Sequence, residues 1–450
     1  MNLFPEPDGT IMGLIPRIRA RQVSCVEVAT RCLQRIDDSE TRIRAWVRID
    51  RDGALSAAQE LDAELESGRY RGPLHGIPMG IKDIVDVAGW PTAAGSEQWK
   101  QRIAARDARL VTRLREAGAV LLGKTVTTQY ASFDPPVTRN PWNLDRTPGG
   151  SSSGSAAAVA AGMCLAAIGS QTGGSITRPA SYCGVAGCKP TFGRVSVRGV
   201  LPLAPSMDHP GPLARCVDDL AIVYHVIAGY DPEDPDSIDA AARGGHEESG
   251  SGAATPAPRL GRLEGMFSEL ANDDIRTAMG SAVAALQSAG ATVEVAPLPS
   301  QFDDVLARHR LVMAVEAAAV HEERIARHPD EYGPCITQLI NEGLLASATD
   351  YARARRHQVL TKRTILQAFD QCDVLVCPAT TGAAPGAVTT GNPAFNSPWS
   401  YTGLPTVSFP VSLSTDGLPL AVQLVGLPLG EERLFRVARW CEHAIRASET

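Results

Sequence analysis

A run of seven small residues, Gly149-Gly150-Ser151-Ser152-Ser153-Gly154-Ser155, and a second group, Gln171-Thr172-Gly173-Gly174-Ser175, hold hydroxyls on backbone that can bend closely around a reactant. Glycine and serine bury little apolar surface, and glycine weakens any helix or strand it interrupts. Such a run is either a linker or backbone shaped for a reaction. The uncharged stretch that follows, Ala156 to Ile168, reads as a buried helix, and a linker does not run straight into a core helix. Three chemistries compete. A phosphate loop needs G-x-x-x-x-G-K-[ST], or G-x-G-x-x-G after a strand, and neither string is present. A nucleophile elbow, G-x-S-x-G, is matched by Gly150 to Gly154 with Ser152 as nucleophile. That motif needs a strand just before it, and the proline-bearing segment Asn140 to Pro148 cannot be a central strand. The third chemistry uses a lysine as base. Lys82 follows the apolar residues Ile77, Pro78, Met79 and Ile81. It is a snorkelling surface residue, half of an ion pair with Asp83 or Asp86, or a desolvated base. Burial lowers a lysine pKa, only the neutral amine accepts a proton, and a serine hydroxyl needs such an acceptor to attack.

The elements that must position these residues read as an α/β fold. Residues 10–66 have helical periodicity, and Gly76 to Val87 is punctuated by glycine and proline like one or two strands. A helix over 107–117 and a buried strand over Ala119 to Gly123 continue a βα alternation. Residues 131–148 form an irregular approach to the glycine-serine run. Residues 259–297 read strand, helix, strand, and 303–369 are mostly helical. Asp373 to Pro378 is a buried strand. A hairpin pairs Thr406–Leu413 with Leu418–Val425 around Thr415-Asp416-Gly417, and a helix covers Glu431 to Ser448.

Several strings together resemble the amidase signature family: Gly76-Ile77-Pro78 with Lys82-Asp83, Gly149-Gly150-Ser151-Ser152, Thr172-Gly173-Gly174-Ser175 with Pro179-Ala180, and Cys183-Gly184-Val185. Flanking strings fit too, among them Gly123-Lys124-Thr125, Lys189-Pro190-Thr191 and Gln423-Leu424-Val425-Gly426. The likeness runs from about residue 15 to the C-terminus and is weakest over 230–370. It implies one large domain with a central twisted mixed sheet covered by helices on both faces. Its parts would be an N-terminal helical region (1–66), a signature core (67–230), a flexible insertion (231–258), a variable helical region (259–370) and C-terminal strands with a helix (371–450). It also implies a Ser-cisSer-Lys triad: Ser175 as acylated nucleophile, Ser151 as bridging serine after a cis bond, and Lys82 as base. The backbone N–H groups of Thr172, Gly173, Gly174 and Ser175 would form the oxyanion hole. Ser175 follows Ser151 by 24 residues, the family's interval. The common string S-D-T-G-G-S-I-R is altered: Gln171 replaces the aspartate, Thr177 replaces the arginine, and Arg178 stands one place later. This looks like the malonamidase-type branch, in which the shifted arginine can hold a substrate carboxylate. Arg178 either does this or pairs with a protein carboxylate.

The implied activity is hydrolysis of amide C–N bonds through an acyl-enzyme, with carbamates, anilides, ureas and esters open to the same attack. Alternatives are the amidase subunit of a tRNA-dependent amidotransferase and an inactive binding protein on the same fold. Tyr130, Phe133, Trp399 and Tyr401 are either substrate-stacking aromatics or ordinary core, and 379–394 is a candidate mobile wall. The 450 residues are 44% hydrophobic and 21% charged, ordinary for a globular enzyme, and the net charge of −7 leaves no basic stripe for nucleic acid. The ten scattered cysteines form no C-x-x-C, and the histidines form no H-E-x-x-H, so no metal and no cofactor are expected. The N-terminus has no signal-like apolar region. A cytoplasmic monomer or homodimer is expected, whose partners are a small amide or carbamate and water, with neither nucleic acid nor membrane.

Overall fold

The computed structural model describes residues 3–6, 9–240 and 256–448. An eleven-stranded mixed sheet organises them. In chain order its strands are β1 (Trp46–Ile49), β2 (Pro78–Lys82), β3 (Val120–Thr125), β4 (Ala166–Gln171), β5 (Ala186–Lys189), β6 (His209–Ala214), β7 (Arg259–Arg262), β8 (Thr292–Val295), β9 (Val374–Pro378), β10 (Thr406–Leu413) and β11 (Pro419–Val425). Across the sheet they lie in the order β1-β3-β2-β4-β6-β5-β10-β11-β9-β7-β8. One parallel group, β3-β2-β4, is joined to another, β9-β7-β8, through the antiparallel stretch β6-β5-β10-β11. Every residue of β2, β3 and β4 is buried. That burial explains their unbroken apolar runs, because parallel strands are covered on both faces.

Helix starts follow local capping chemistry. Thr10 accepts from Gly13 N to cap Ile11–Arg19, and Ser24 with Glu27 forms a capping box on Cys25–Ile43. Helix Arg51–Glu66 packs on β3, and Val217–Ile227 packs on β6. The helical reading of residues 10–66 omits β1, which lies between the second and third of these helices. Gly76 to Val87 holds one strand, β2, and a single bridge from Val85 to Val200. The expected hairpin is β10-β11, and the last helix spans Glu431–Ser448.

The single helix expected over Ala156 to Ile168 is corrected. Helix Ser153–Ala160 stops at Ala161-Gly162, where Gly162 adopts φ 69°, and β4 starts at Ala166. A short apolar run does not distinguish a buried helix from a buried strand, whereas a left-handed glycine terminates a helix. The helix is built from small residues because it lies directly on neighbouring backbone: a Cβ at Gly154 would run into Ala45 O and Val126 N. Of the insertion expected at 231–258, residues 241–255 lie outside the described residues. Its first part is anchored: Val197 N donates to Asp234 Oδ2 at 2.8 Å, and Ile238 N to Gly193 O at 2.9 Å. Among the described residues, no helix is long and apolar enough to cross a membrane.

Candidate active site

β2 and β4 run parallel and adjacent, with Ile81 opposite Ile168. Their C-terminal ends therefore bring Lys82 and Ser170-Gln171 to one edge of the sheet. β6 starts from that edge, with His209 opposite Gln171, and Asp208 precedes it. The C-terminal ends of parallel strands are where open α/β sheets place their ligands.

Lys82 is completely buried, with Nζ 2.7 Å from Ser151 Oγ and 2.8 Å from Ser170 Oγ. Both acids that sequence reading offered as partners are engaged elsewhere: Asp83 with Lys124 at 2.9 Å and Asp86 with Arg102 at 2.7 Å. Burial without a paired carboxylate holds Lys82 well below the ordinary lysine range, while the charge of Asp208 pulls weakly the other way. An uncharged amine has one lone pair and two N–H donors. Here it can accept from the Ser151 hydroxyl while donating to Ser170 Oγ. The Gly150–Ser151 peptide is cis, and Thr128 N donates to the Ser151 carbonyl at 3.2 Å.

The loop after β4 is held by its carbonyls. His209 Nδ1 lies 3.2 Å from Gln171 O, His309 Nε2 lies 2.9 Å from Thr172 O, and Ser400 Oγ donates to Gly173 O at 3.1 Å. Arg178 N donates to Gly174 O at 2.9 Å, and Ser152 N to Ser175 O at 3.3 Å. Burial lowers His309 to about 4, so its ring is neutral near pH 7 and contacts the carbonyl through an N–H. With every carbonyl tied outward, the N–H groups of Gly173, Gly174 and Ser175 have no protein acceptor among the described residues. These are free donors of the kind that can meet a developing oxyanion. Gly174 has to be glycine for space: a Cβ there would come within 2.6 Å of Asn396 Oδ1. Gln171 stands in the place of an aspartate and bonds to two backbone amides, its Oε1 accepting from Ile176 N at 2.9 Å and Thr177 N at 3.0 Å. It thereby orders the turn that presents Ser175, whose side chain lies at the edge of the buried region with 8% exposure.

Ser152 faces away from this chemistry. Its Oγ donates to Ser170 O at 3.2 Å and accepts from Ser170 N at 3.1 Å, pinning the glycine-serine run to β4. Arg178 is fully buried and pairs with no protein carboxylate, which corrects the structural ion-pair alternative. Its terminal nitrogens donate to Gly150 O at 2.7 Å, Gly391 O at 2.9 Å and Thr390 Oγ1 at 3.2 Å. Carbonyls substitute for a carboxylate, and burial lowers the guanidinium to about 10. The arginine thus grips the peptide that carries Ser151. Tyr130 is not open for stacking: it is 1% exposed, and its hydroxyl accepts from Arg324 Nε at 3.1 Å. Trp399 and Tyr401 are also core, the first stacked on Phe267 at 5.9 Å and the second donating to Ala354 O at 2.7 Å. Phe133 stands half-buried under the Arg310 guanidinium, 5.4 Å away.

Sequence reading missed Ser170, Asp208, His309 and Ser400. Ser170 had a signal, since it abuts Gln171 and is delivered once β4 is recognised as a strand. Thr172 Oγ1 donates to Asp208, whose carboxylate also accepts from Leu203 N at 2.8 Å. The remaining three reach the loop only through the tertiary fold.

A buried lysine without a paired acid, two serines within its reach and a loop of unsatisfied N–H groups equip a protein to take an acyl group from an amide. The comparisons agree. The amidase family model matches residues 27–435. An amidase from Pseudomonas putida is 37% identical over 97% of this chain and 96% of its own length. The amidase-type chain of a glutamyl-tRNA(Gln) amidotransferase from a Geobacter strain is 34% identical over 96% of each. The structure of a peptide amidase from Stenotrophomonas maltophilia superposes with a TM-score of 0.83 at 31% identity, over 97% of each chain. The chain belongs to the amidase signature family, and it is an amidohydrolase.

Proposed function

We propose that the protein hydrolyses small carboxamides through an acyl-enzyme on Ser175. The observation that supports this most is the uncharged, fully buried Lys82 at 2.7 Å from Ser151 Oγ. Ser175 Oγ attacks the carbonyl carbon, its proton passing to Ser151 and the Ser151 proton to Lys82 Nζ. The oxygen that gains charge meets the free N–H groups of Gly173, Gly174 and Ser175, with Thr172 completing the loop. The proton returns along the same path to the departing nitrogen as the C–N bond breaks, and an amine or ammonia leaves. Water then attacks the Ser175 ester, gives its proton to the Ser151–Lys82 pair, and releases the acid. Arg178 holds Gly150 O and is given no substrate carboxylate in this scheme. Carbamates, anilides and esters present the same carbonyl to the same serine.

The test is turnover of a panel of aliphatic amides, anilides, aryl carbamates and C-terminal peptide amides, with fluorophosphonate labelling mapped by mass spectrometry. Label on Ser175, with loss of both label and turnover in Ser175→Ala, is expected. Ser152→Ala should keep its label. Labelling that disappears in Ser152→Ala and persists in Ser175→Ala would sink the assignment. The Geobacter relative favours a second reading, release of ammonia inside a tRNA-dependent amidotransferase. Turnover of free amides by the isolated chain decides against it.

A further inference from the structure

Outside the catalytic edge lies a second cavity of about 510 Å³, within the range of small-molecule sites. Trp99, Leu201, Pro202, His321 and Arg324 are among its walls. Leu201 also lines the small inner cavity that contains Ser170, Thr172 and Asp208, so one side chain separates the two spaces. The rest of the partition is Tyr130-Ala131. Ala131 lines the inner cavity, while the Tyr130 ring packs 4.7 Å from His321 and 5.9 Å from Trp99. Both partition residues have left-handed backbone, φ 49° and 58°, a conformation that non-glycine residues adopt at a cost and that concentrates at functional sites.

The cavity holds a polar atom with nothing to bind. His321 is only 3% exposed, and its Nε2 has no hydrogen-bond partner among the described residues. Nδ1 lies 3.1 Å from the Tyr332 hydroxyl. With that hydroxyl donating to Nδ1, the proton of the neutral ring sits on Nε2 and points away from Tyr332. Beside it the Arg324 guanidinium lies over Trp99 at 4.5 Å, with Nε on the Tyr130 hydroxyl and Nη2 on Glu331 at 2.8 Å. The nearby acid Glu323 is neutralised by Arg327 at 2.7 Å. A buried donor without an acceptor is costly, about 1–3 kcal/mol, and a ligand oxygen would relieve that cost.

We propose that this outer cavity is the subsite for the far end of an extended carboxamide substrate, whose second carbonyl or carboxylate oxygen accepts from His321 Nε2 beside Arg324. The substrate class is therefore an acyl-amino-acid or peptide-like amide rather than a short aliphatic one. The proposal rests on the amide-hydrolase reading, and its test separates the two.

Calorimetric titration of Ser175→Ala with N-acetyl-alanyl-phenylalaninamide reads binding without turnover. Adding His321→Phe, which keeps the buried ring and removes the donor, should weaken binding at least tenfold. Ala319→Trp, an exposed position lining the same cavity, should do the same by filling it. In the Ser175-intact enzyme, both substitutions should lower the ratio of kcat/KM for the peptide amide to that for propionamide. Unchanged affinity in both variants at unchanged thermal midpoint would overturn the subsite, as would an equal loss for both substrates. An enzyme that turns over neither amide refutes the hydrolase reading, and the calorimetric result still decides the cavity.

Discussion

Lys82 and Lys124 stand on neighbouring strands, Lys82 beside Thr125 and Lys124 beside Ile81, and neither exposes any surface. What differs is the company each keeps. Lys124 Nζ sits 2.9 Å from an Asp83 carboxylate oxygen and donates to Thr92 Oγ1 at 3.2 Å and Pro91 O at 3.1 Å. Lys82 has two hydroxyls. The ion pair on β3 keeps a cation where water is excluded, while the hydroxyls on β2 can share a proton with an amine but cannot neutralise an ammonium. Burial alone therefore does not make a base. The lost counter-ion does, and Asp83, next in sequence to Lys82, is turned to the adjacent strand.

The comparison is broken most directly by removing each amine. Lys82→Met should fold, since it strands no charge, and should lower kcat on the order of 10⁴-fold or more. Lys124→Met should do the reverse, leaving Asp83 buried without a partner at a cost of about 3–5 kcal/mol. Denaturant unfolding and kcat of the folded fraction measure the two effects. A Lys82→Met enzyme of near-normal kcat would end the distinction. A smaller effect sharpens it. Ser170→Ala removes the hydroxyl that orients the Lys82 lone pair and should lower kcat about tenfold at similar KM. Ser170→Thr should restore the rate, and failure of that rescue would assign Ser170 to packing. The smallest effect is electrostatic. The acid limb of kcat/KM should follow protonation of Lys82, activity falling as pH drops through its depressed pKa. Asp208 favours the ammonium, so Asp208→Asn should move that limb to lower pH. A limb that stays put or moves upward would remove Lys82 as the group being titrated.

Much of the site was legible because its residues sit in contiguous strings: Lys82, Ser151 and Ser175 each lie in a motif whose glycines constrain the backbone around them. The fold was legible where a strand ended on a hard signal, as at Pro378 and at the Thr415-Asp416-Gly417 turn. It failed between Ala156 and Gln171, where small apolar residues satisfy a helix and a buried strand equally and Gly162 was the one available cue. Tyr130, Trp399 and Tyr401 have the composition of a binding wall, yet their burial is decided by helices far away in the chain. His309 and Ser400 were out of reach for the same reason: a hydrogen bond to a backbone carbonyl leaves no pattern in sequence spacing.

Those two residues make the reactive loop a shared possession of the chain. Its peptide groups are oriented by a histidine of β6, a histidine of helix Val305–Arg327 and a serine of helix Ser397–Thr402. Recombination between relatives is thereby constrained. A chimera that keeps residues 149–178 but imports the 259–370 region from a donor lacking the His309 imidazole inherits the attacking serine with one peptide left unsteered. The motif is portable as text, whereas the electrostatics it produces belong to the whole sheet and its coverings.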